Sequence, residues 1–234
     1  LLEPDDEVII PAPYWVSYAD IVHLTGAKPI IVQCGIEQSF KMTPEQLSSA
    51  ISNKTKLIFL NSPSNPTGAV YNEVELRGLA DILLEHPHVF IGTDDIYEHI
   101  SLNETPFMNI LMVEPKLKNR VIVLNGVSKA YSMTGWRIGY AAGPKEIIKA
   151  MGKLQSQSTS NPTSISQVAA EAALRGNQDC IKPMIKAFKE RHVFVLKALN
   201  EIEGIQCIPA SGAFYAFADA RSAIEILFSK NKMP

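Results

Sequence analysis

Three nearly continuous apolar runs constrain the fold of this chain more than any other feature. They are KLIFLN at 56–61, HVFIGTD at 88–94 and RVIVLNG at 120–126. A strand with one solvent-exposed face alternates apolar and polar residues, whereas a strand buried on both faces is apolar throughout. Strands of the second kind belong to parallel sheets that helices cover on both sides. The runs therefore predict an α/β fold with a mostly parallel sheet flanked by helices.

Shorter patterns near the start of the chain add elements to this sheet. EVIIP at 7–11 and KPIIVQC at 28–34 read as two more strands, and residues 14–25 between them predict a helix that Gly26 closes. Strands that alternate with helices in this way form right-handed crossover units. The first half of the chain therefore predicts an open sheet.

Two helix starts carry capping signals. Thr43 is a candidate N-cap, Pro44 occupies the first helical position and Gln46 completes a capping box. Asn72 is a candidate N-cap for a helix over 73–85. These signals place the starts of two crossover helices before any packing is known.

The pattern changes in the second half of the chain. It predicts helices at 145–158, 164–175 and 180–203. The last of these carries an apolar stripe that we interpret as core: Ile181, Met184, Ile185, Phe188 and Phe194. Strand character returns in IQCIPASGAFYAFADA near residue 205. We therefore predict a large domain over 1–203, lacking its N-terminal part, and the beginning of a small domain over 204–234.

Charge and cysteine content exclude several classes of partner. The 234 residues hold 22 basic and 24 acidic side chains, so nucleic acid and anionic membranes are not expected to bind. Three separated cysteines without a CxxC pair favour a reducing, cytoplasmic setting. The chain begins without Met and breaks off in a helical pattern at EILFSKNKMP, so we expect it to be a piece of a longer protein.

Chemically useful side chains follow the ends of four predicted strands. The carboxyl ends of parallel strands share one edge of a sheet, where ligands bind in open α/β folds. The residues that should meet there are Trp15, Asn65, Asp94, Tyr97, Ser128, Lys129 and Arg137. Taken singly, each has a structural explanation: a turn, a helix cap, a core aromatic, a surface lysine or an ion-paired arginine. Their joint placement on successive strand ends favours a functional site.

Four segments carry a family resemblance. PAPYW, NSPSNPTG, DDIYE and SKAYSMTGWRIGYAAGP resemble, in this order, class I aminotransferases, which are pyridoxal 5'-phosphate (PLP) enzymes. SQSTSNPTSISQ and SGAFYAF resemble the bacterial aspartate aminotransferase branch. The resemblance implies the large domain of the PLP-dependent transferase fold type I, plus the start of an α+β small domain.

The resemblance also implies three catalytic residues. Lys129 matches the lysine that holds the cofactor through its aldehyde and then moves the substrate proton. Asp94 matches the carboxylate that keeps the pyridine nitrogen protonated, and Tyr97 matches a hydrogen-bond partner of the ring oxygen O3′. These residues would also bind the cofactor.

The remaining cofactor contacts follow from the same motifs. Asn65 matches the second partner of O3′, and Trp15 matches the aromatic that stacks on the ring. Ser128 and Arg137 match phosphate ligands, for which a planar guanidinium is well shaped. No metal is implied, and we interpret His86 and His88 as an incidental HxH pair.

The implied activity is transfer of an amino group from an amino acid, aspartate first, to a 2-oxo acid such as 2-oxoglutarate, by a homodimer. One alternative is a PLP-dependent C–S β-lyase or another class I transaminase. An alternative from another class is the PLP-sensing domain of a transcription regulator. Sequence patterns leave these alternatives open.

Two parts of the family's site have no counterpart in this sequence. The glycine-rich phosphate loop would precede residue 1, and the arginine for the substrate α-carboxylate would follow Pro234. Arg175, Arg191 and Arg221 stand outside the matching motif. Asp95 replaces a frequent glutamate, a conservative change. We expect residues 1–234 alone to bind the cofactor weakly and to show no measurable transamination.

Overall fold

A computed structural model describes residues 1–104 and 106–229. Within them a six-stranded sheet has the order β2-β1-β3-β4-β5-β6, parallel from β2 to β5, with β6 antiparallel to β5. The strands are β1 (Glu7–Ala12), β2 (Lys28–Gln33), β3 (Thr55–Asn61), β4 (Phe90–Asp94), β5 (Val121–Gly126) and β6 (Gly139–Ala142). The mostly parallel sheet predicted from the apolar runs is confirmed.

Helices connect the strands and continue beyond the sheet. They are α1 (Ser17–Leu24), α2 (Pro44–Ala50), α3 (Glu73–Glu85), α4 (Ile110–Val113), α5 (Lys145–Ser158), α6 (Ser164–Arg175), α7 (Ile181–Asn200) and α8 (Arg221–Ser229). A separate antiparallel pair, β7 (Gln206–Cys207) and β8 (Ala218–Asp219), lies in the region predicted to begin a small domain. Residues 230–234 of that predicted domain lie outside the described residues.

The two predicted helix starts have the expected caps. The Thr43 hydroxyl accepts the Gln46 N–H at 3.3 Å, and the Gln46 side chain accepts the Thr43 N–H at 3.1 Å. Asn72 and Glu75 form the same reciprocal pair at the start of α3, at 3.0 and 2.8 Å. Each box satisfies backbone donors that a helix end leaves unpaired.

The sheet has a hydrophobic core on each face, as the continuous apolar runs require. Successive strand residues point to opposite faces. Ile9 of β1 faces the core that α3 covers, whereas Val8 and Ile10 face the core that α1 covers. On α3 the fully buried side chains include Leu79 and Leu83. A one-residue slip of a strand would exchange its two faces, so the register is specified by how each side chain packs in its own core.

Strand β6, the short helix α4 and the burial of α7 differ from the sequence predictions. Strand β6 was not predicted, because its four residues, GYAA, carry no strand signal and lie in a stretch dominated by glycine and cation motifs. On α7 the predicted core stripe is only partly buried: Ile181 is buried, while Phe194 is 73% exposed. The first half of α7 packs through Met184 and Phe188 on the residues after β4, and Phe194 lies beyond that contact.

No helix in residues 1–104 and 106–229 has both the length and the apolar character needed to cross a bilayer.

Candidate active site

A cavity of about 510 Å³ opens at the carboxyl ends of β3, β4 and β5. All seven residues that the sequence placed at strand ends line it: Trp15, Asn65, Asp94, Tyr97, Ser128, Lys129 and Arg137. They come from four separate loops, which only a parallel sheet brings to one edge. Strand β6 also begins at this edge, because it runs antiparallel to β5.

Asp94 is the last residue of β4 and is half-buried at the cavity wall. Its carboxylate accepts a hydrogen bond from the Tyr18 hydroxyl and another from the Ile96 N–H at 3.3 Å. Burial raises the pKa of Asp94, and the two hydrogen bonds and the positive charge of Lys129 only partly offset this rise. The carboxylate is therefore fixed in orientation and would be stabilised by a cationic ligand.

The neighbouring carboxylate, Asp95, has a different environment. It is 2% exposed and accepts hydrogen bonds from the Thr93 hydroxyl and the Asn109 amide, both at 2.6 Å. Burial raises the pKa of Asp95 to about 6. Because Asn109 also caps α4, Asp95 joins the end of β4 to that helix. Asp95 is thus an internal structural group, whereas Asp94 faces the cavity.

Tyr97 closes another side of the cavity and is 2% exposed. Its hydroxyl lies 2.6 Å from the Tyr215 hydroxyl, and the Lys129 amine lies 5.8 Å from the centre of its ring. Burial raises the pKa of Tyr97 strongly and Tyr215 raises it further, while the Asn65 side chain acts in the opposite direction. The phenol is therefore neutral at ordinary pH and carries a proton that it can donate.

Two cations, Lys129 and Arg137, face this cavity. Within residues 1–104 and 106–229, neither of them forms an ion pair. Arg137 has a left-handed backbone conformation (φ 50°), and its guanidinium donates to the Thr134 carbonyl at 2.7 Å. One hydrogen bond leaves most of the guanidinium donors available, as an anion site requires.

Sequence reasoning missed two residues that orient this site. Asn61, the last residue of β3, donates to the Asp94 carbonyl at 2.9 Å and accepts the Asn65 N–H at 2.7 Å. Tyr18 holds the Asp94 carboxylate and stacks on Phe59 with 5.0 Å between ring centres. Asn61 had a usable signal, because it ends a predicted strand beside a motif residue.

Trp15 and Tyr18 are placed by the start of α1. Their rings meet edge to face with 5.5 Å between centres, and Trp15 remains 43% exposed. In the structure Trp15 precedes α1, and the Tyr18 N–H donates to the Trp15 carbonyl at 3.0 Å. The helix predicted over 14–25 already placed these two residues three positions apart on one side, which was a second usable signal.

The cations and histidines that the sequence left unassigned lie elsewhere. Arg175 pairs with Glu171 at 2.9 Å, and Arg221 pairs with Asp219 at 2.5 Å. The described part of the chain contains no group of three or more His, Cys, Asp or Glu side chains that could hold a metal ion. The histidines at 86 and 88 therefore belong to no such group.

An amine, a carboxylate, a phenol and a guanidinium thus surround one cavity at the carboxyl edge of a mostly parallel α/β sheet. The chain belongs to the aminotransferase class I and II family, whose model matches residues 1–232. Its sheet and helices accordingly have the fold of PLP-dependent aminotransferases, as the resemblance implied.

Curated relatives and solved structures agree with this assignment. An aspartate/prephenate aminotransferase from Nitrosomonas europaea is 58% identical over 97% of this chain and 57% of its own. The crystal structure of the aspartate aminotransferase from Rhizobium meliloti superposes with a TM-score of 0.93 at 50% identity, covering 95% of this chain and 56% of that one. The structure of the aspartate aminotransferase from Thermus thermophilus with maleate superposes with a TM-score of 0.86 at 40% identity. It covers 93% of this chain and 56% of that one. The chain thus spans just over half the length of these relatives.

Proposed function

We propose that the full-length protein transfers an amino group between aspartate and a 2-oxo acid, 2-oxoglutarate first, using PLP bound at Lys129. The observation that carries this proposal is the placement of Lys129, Asp94 and Arg137 around one cavity, with both cations lacking a carboxylate partner in the described residues. A lysine, a carboxylate and an anion site are what this cofactor needs from a protein.

The cavity residues fit the cofactor chemically. Asp94 is a carboxylate whose ionisation burial opposes, so a protonated ring nitrogen beside it would stabilise both charges. Arg137 and Ser128 would bind the phosphate, and the exposed face of Trp15 would cover the ring. Bound PLP supplies an aldehyde and an electron-withdrawing ring that stabilises negative charge on the substrate carbon.

The protein's own residues then have distinct tasks. The Lys129 amine would accept the proton from the substrate Cα and deliver it to C4′, the aldehyde carbon of the cofactor. Tyr97 and Asn65 would donate hydrogen bonds to the phenolic oxygen of the cofactor. Asp94, held by Tyr18, would maintain the positive charge on the ring nitrogen during the proton transfer.

The substrate proposal depends on the relatives. The Nitrosomonas europaea relative is named for aspartate and prephenate, and the Thermus thermophilus structure is of the enzyme with maleate, a four-carbon dicarboxylate like aspartate. We therefore propose aspartate as amino donor and prephenate as a second amino acceptor to test. These relatives support amino-group transfer over a C–S β-lyase or a transcription regulator.

We further propose that the full-length protein is a PLP-dependent homodimer and that the large domain of the chain ends near residue 203.

The test uses the full-length protein loaded with PLP, aspartate as donor and 2-oxoglutarate or prephenate as acceptor. We expect oxaloacetate to form, and we expect Lys129→Arg to abolish its formation. Lys145→Arg, on the exposed start of α5, is the matched control and should keep the wild-type rate. Release of pyruvate and ammonia from a sulfur amino acid, without oxaloacetate, would overturn the proposal in favour of the lyase. Light scattering on the same protein tests the homodimer.

A further inference from the structure

We propose that Tyr215 is a positioning residue for Tyr97: its hydroxyl donates to the Tyr97 oxygen and so directs the Tyr97 proton into the cavity. This role rests on the proposed function, because the acceptor of the Tyr97 proton would be the phenolic oxygen of the cofactor. Tyr215 does not itself line the cavity.

The two phenols are in direct contact. Their oxygens lie 2.6 Å apart, and their rings meet at 74° with 5.8 Å between centres. In the described part of the chain, the Tyr215 hydroxyl has no other hydrogen-bond partner. Tyr215 is half-buried and its ring packs on Phe214 with 4.9 Å between centres. The Tyr215 hydroxyl thus contacts the hydroxyl of a cavity-lining phenol without lining the cavity itself.

The segment that carries Tyr215 is docked by its backbone. The N–H groups of Ser211 and Gly212 both donate to the Gly68 carbonyl at 3.0 Å, and the Ala213 N–H donates to the Ile100 carbonyl at 2.8 Å. These bonds join the SGAFY segment to the SNPTG loop on one side and to the turn after β4 on the other. These hydrogen bonds therefore anchor the segment that carries Tyr215 beside the residues that line the cavity, although this segment lies in the predicted small domain.

Two glycines permit this close approach. Gly68 has a φ of +66°, and a Cβ there would lie 2.5 Å from the Cβ of Ala210. A Cβ on Gly212 would lie 2.6 Å from the ring of Pro63. Side chains at either position would push the docked segment away from the cavity, because backbone and ring atoms cannot yield that distance. The two glycines thus allow the segment that carries Tyr215 to pack closely on the loop after β3.

The chemistry of the ligand selects the direction of the bond. Either phenol can donate to the other when the cavity holds no acceptor. A ligand oxygen without a proton can only accept, so Tyr97 must turn its single proton toward the ligand. The Tyr97 oxygen then accepts from Tyr215, and a chain of this kind polarises each of its members. Tyr215 therefore strengthens the donor that Tyr97 presents to the cofactor.

The test compares Tyr215→Phe with Tyr131→Phe in the full-length protein. The Tyr131 hydroxyl donates to Gln178 at 2.7 Å and lies outside the cavity, so the control removes the same atom and a similar bond. We expect Tyr215→Phe to raise the dissociation constant of PLP about 2- to 10-fold, the range for one neutral hydrogen bond. The midpoint of the pH titration of the bound cofactor's visible absorbance should move to higher pH, because the deprotonated phenolic oxygen of the cofactor receives a weaker hydrogen bond from Tyr97. Tyr131→Phe should change neither.

A double variant distinguishes a role through Tyr97 from a structural one. In a Tyr97→Phe background, Tyr215→Phe should add nothing to either measurement. Three outcomes would each overturn the role of Tyr215: additive effects in the double variant, a Tyr215→Phe variant that behaves like Tyr131→Phe, or a Tyr215→Phe variant that loses its fold. In each case, wild-type transamination would still support the proposed function. A wild-type protein that does not take up PLP would overturn both.

Discussion

Replacing Asp94 by Asn tests whether a negative charge at the end of β4 drives the chemistry. The substitution keeps the shape of the side chain and leaves partners for the Tyr18 hydroxyl and the Ile96 N–H, since an amide both accepts and donates. The protein should therefore fold and still bind PLP through Lys129. What it loses is the carboxylate charge beside the ring nitrogen.

The size of the effect follows from where Asp94 lies. The group is half-buried, so an effective dielectric constant near that of a protein surface applies rather than that of water. Opposite charges about 4 Å apart then attract by roughly 4 kcal/mol. If the proton transfer depends on that attraction, kcat should fall by about three orders of magnitude.

The assay is steady-state transamination of aspartate with 2-oxoglutarate by the full-length protein, with cofactor loading measured on the same sample. Asp95→Asn is the matched control, because Asp95 is the adjacent carboxylate but bonds inward to Thr93 and Asn109. We expect its kcat to change by less than about tenfold, since it touches no reacting group. Equal losses in the two variants would refute the assignment of Asp94 to the ring nitrogen.

Three further predictions concern attachment, pH and packing. Borohydride reduction of the PLP-loaded protein should fix the pyridoxyl group on Lys129, and a peptide map with the label on another lysine would contradict this. Because burial raises the pKa of Asp95 to about 6, its contribution to stability is fully present below about pH 4 and is lost as pH rises through 6. Urea unfolding should show this loss in the wild type and not in Asp95→Asn, and parallel pH profiles would contradict it. On α3, Leu79→Ala should lower the free energy of unfolding by about 2–5 kcal/mol and the exposed Val74→Ala by under about 0.5, and similar losses would refute the packing described for this helix.

Local patterns in the sequence determined most of the sheet and its helices. Apolar runs mark the interior strands, because a strand buried on both faces has no position for a polar side chain. The caps at Thr43 and Asn72 were readable because their partners are three residues away. The seven cavity residues were readable because each follows a strand end within a recognisable motif. Their roles as ligands remain predictions.

Only the tertiary structure decided which side chains hold those residues in place. Tyr18 meets Asp94 across 76 residues of sequence, and Tyr97 meets Tyr215 across 118. The prediction that Phe194 of α7 is buried was also wrong. A periodic apolar stripe indicates which side of a helix is buried, but not how many turns of that side are in contact with the rest of the protein. Such contacts depend on strand order, on the handedness of the crossovers and on how closely Gly68 lets a distant segment approach. No local pattern encodes them, because the partner of each side chain is set by packing among elements that are remote in the sequence.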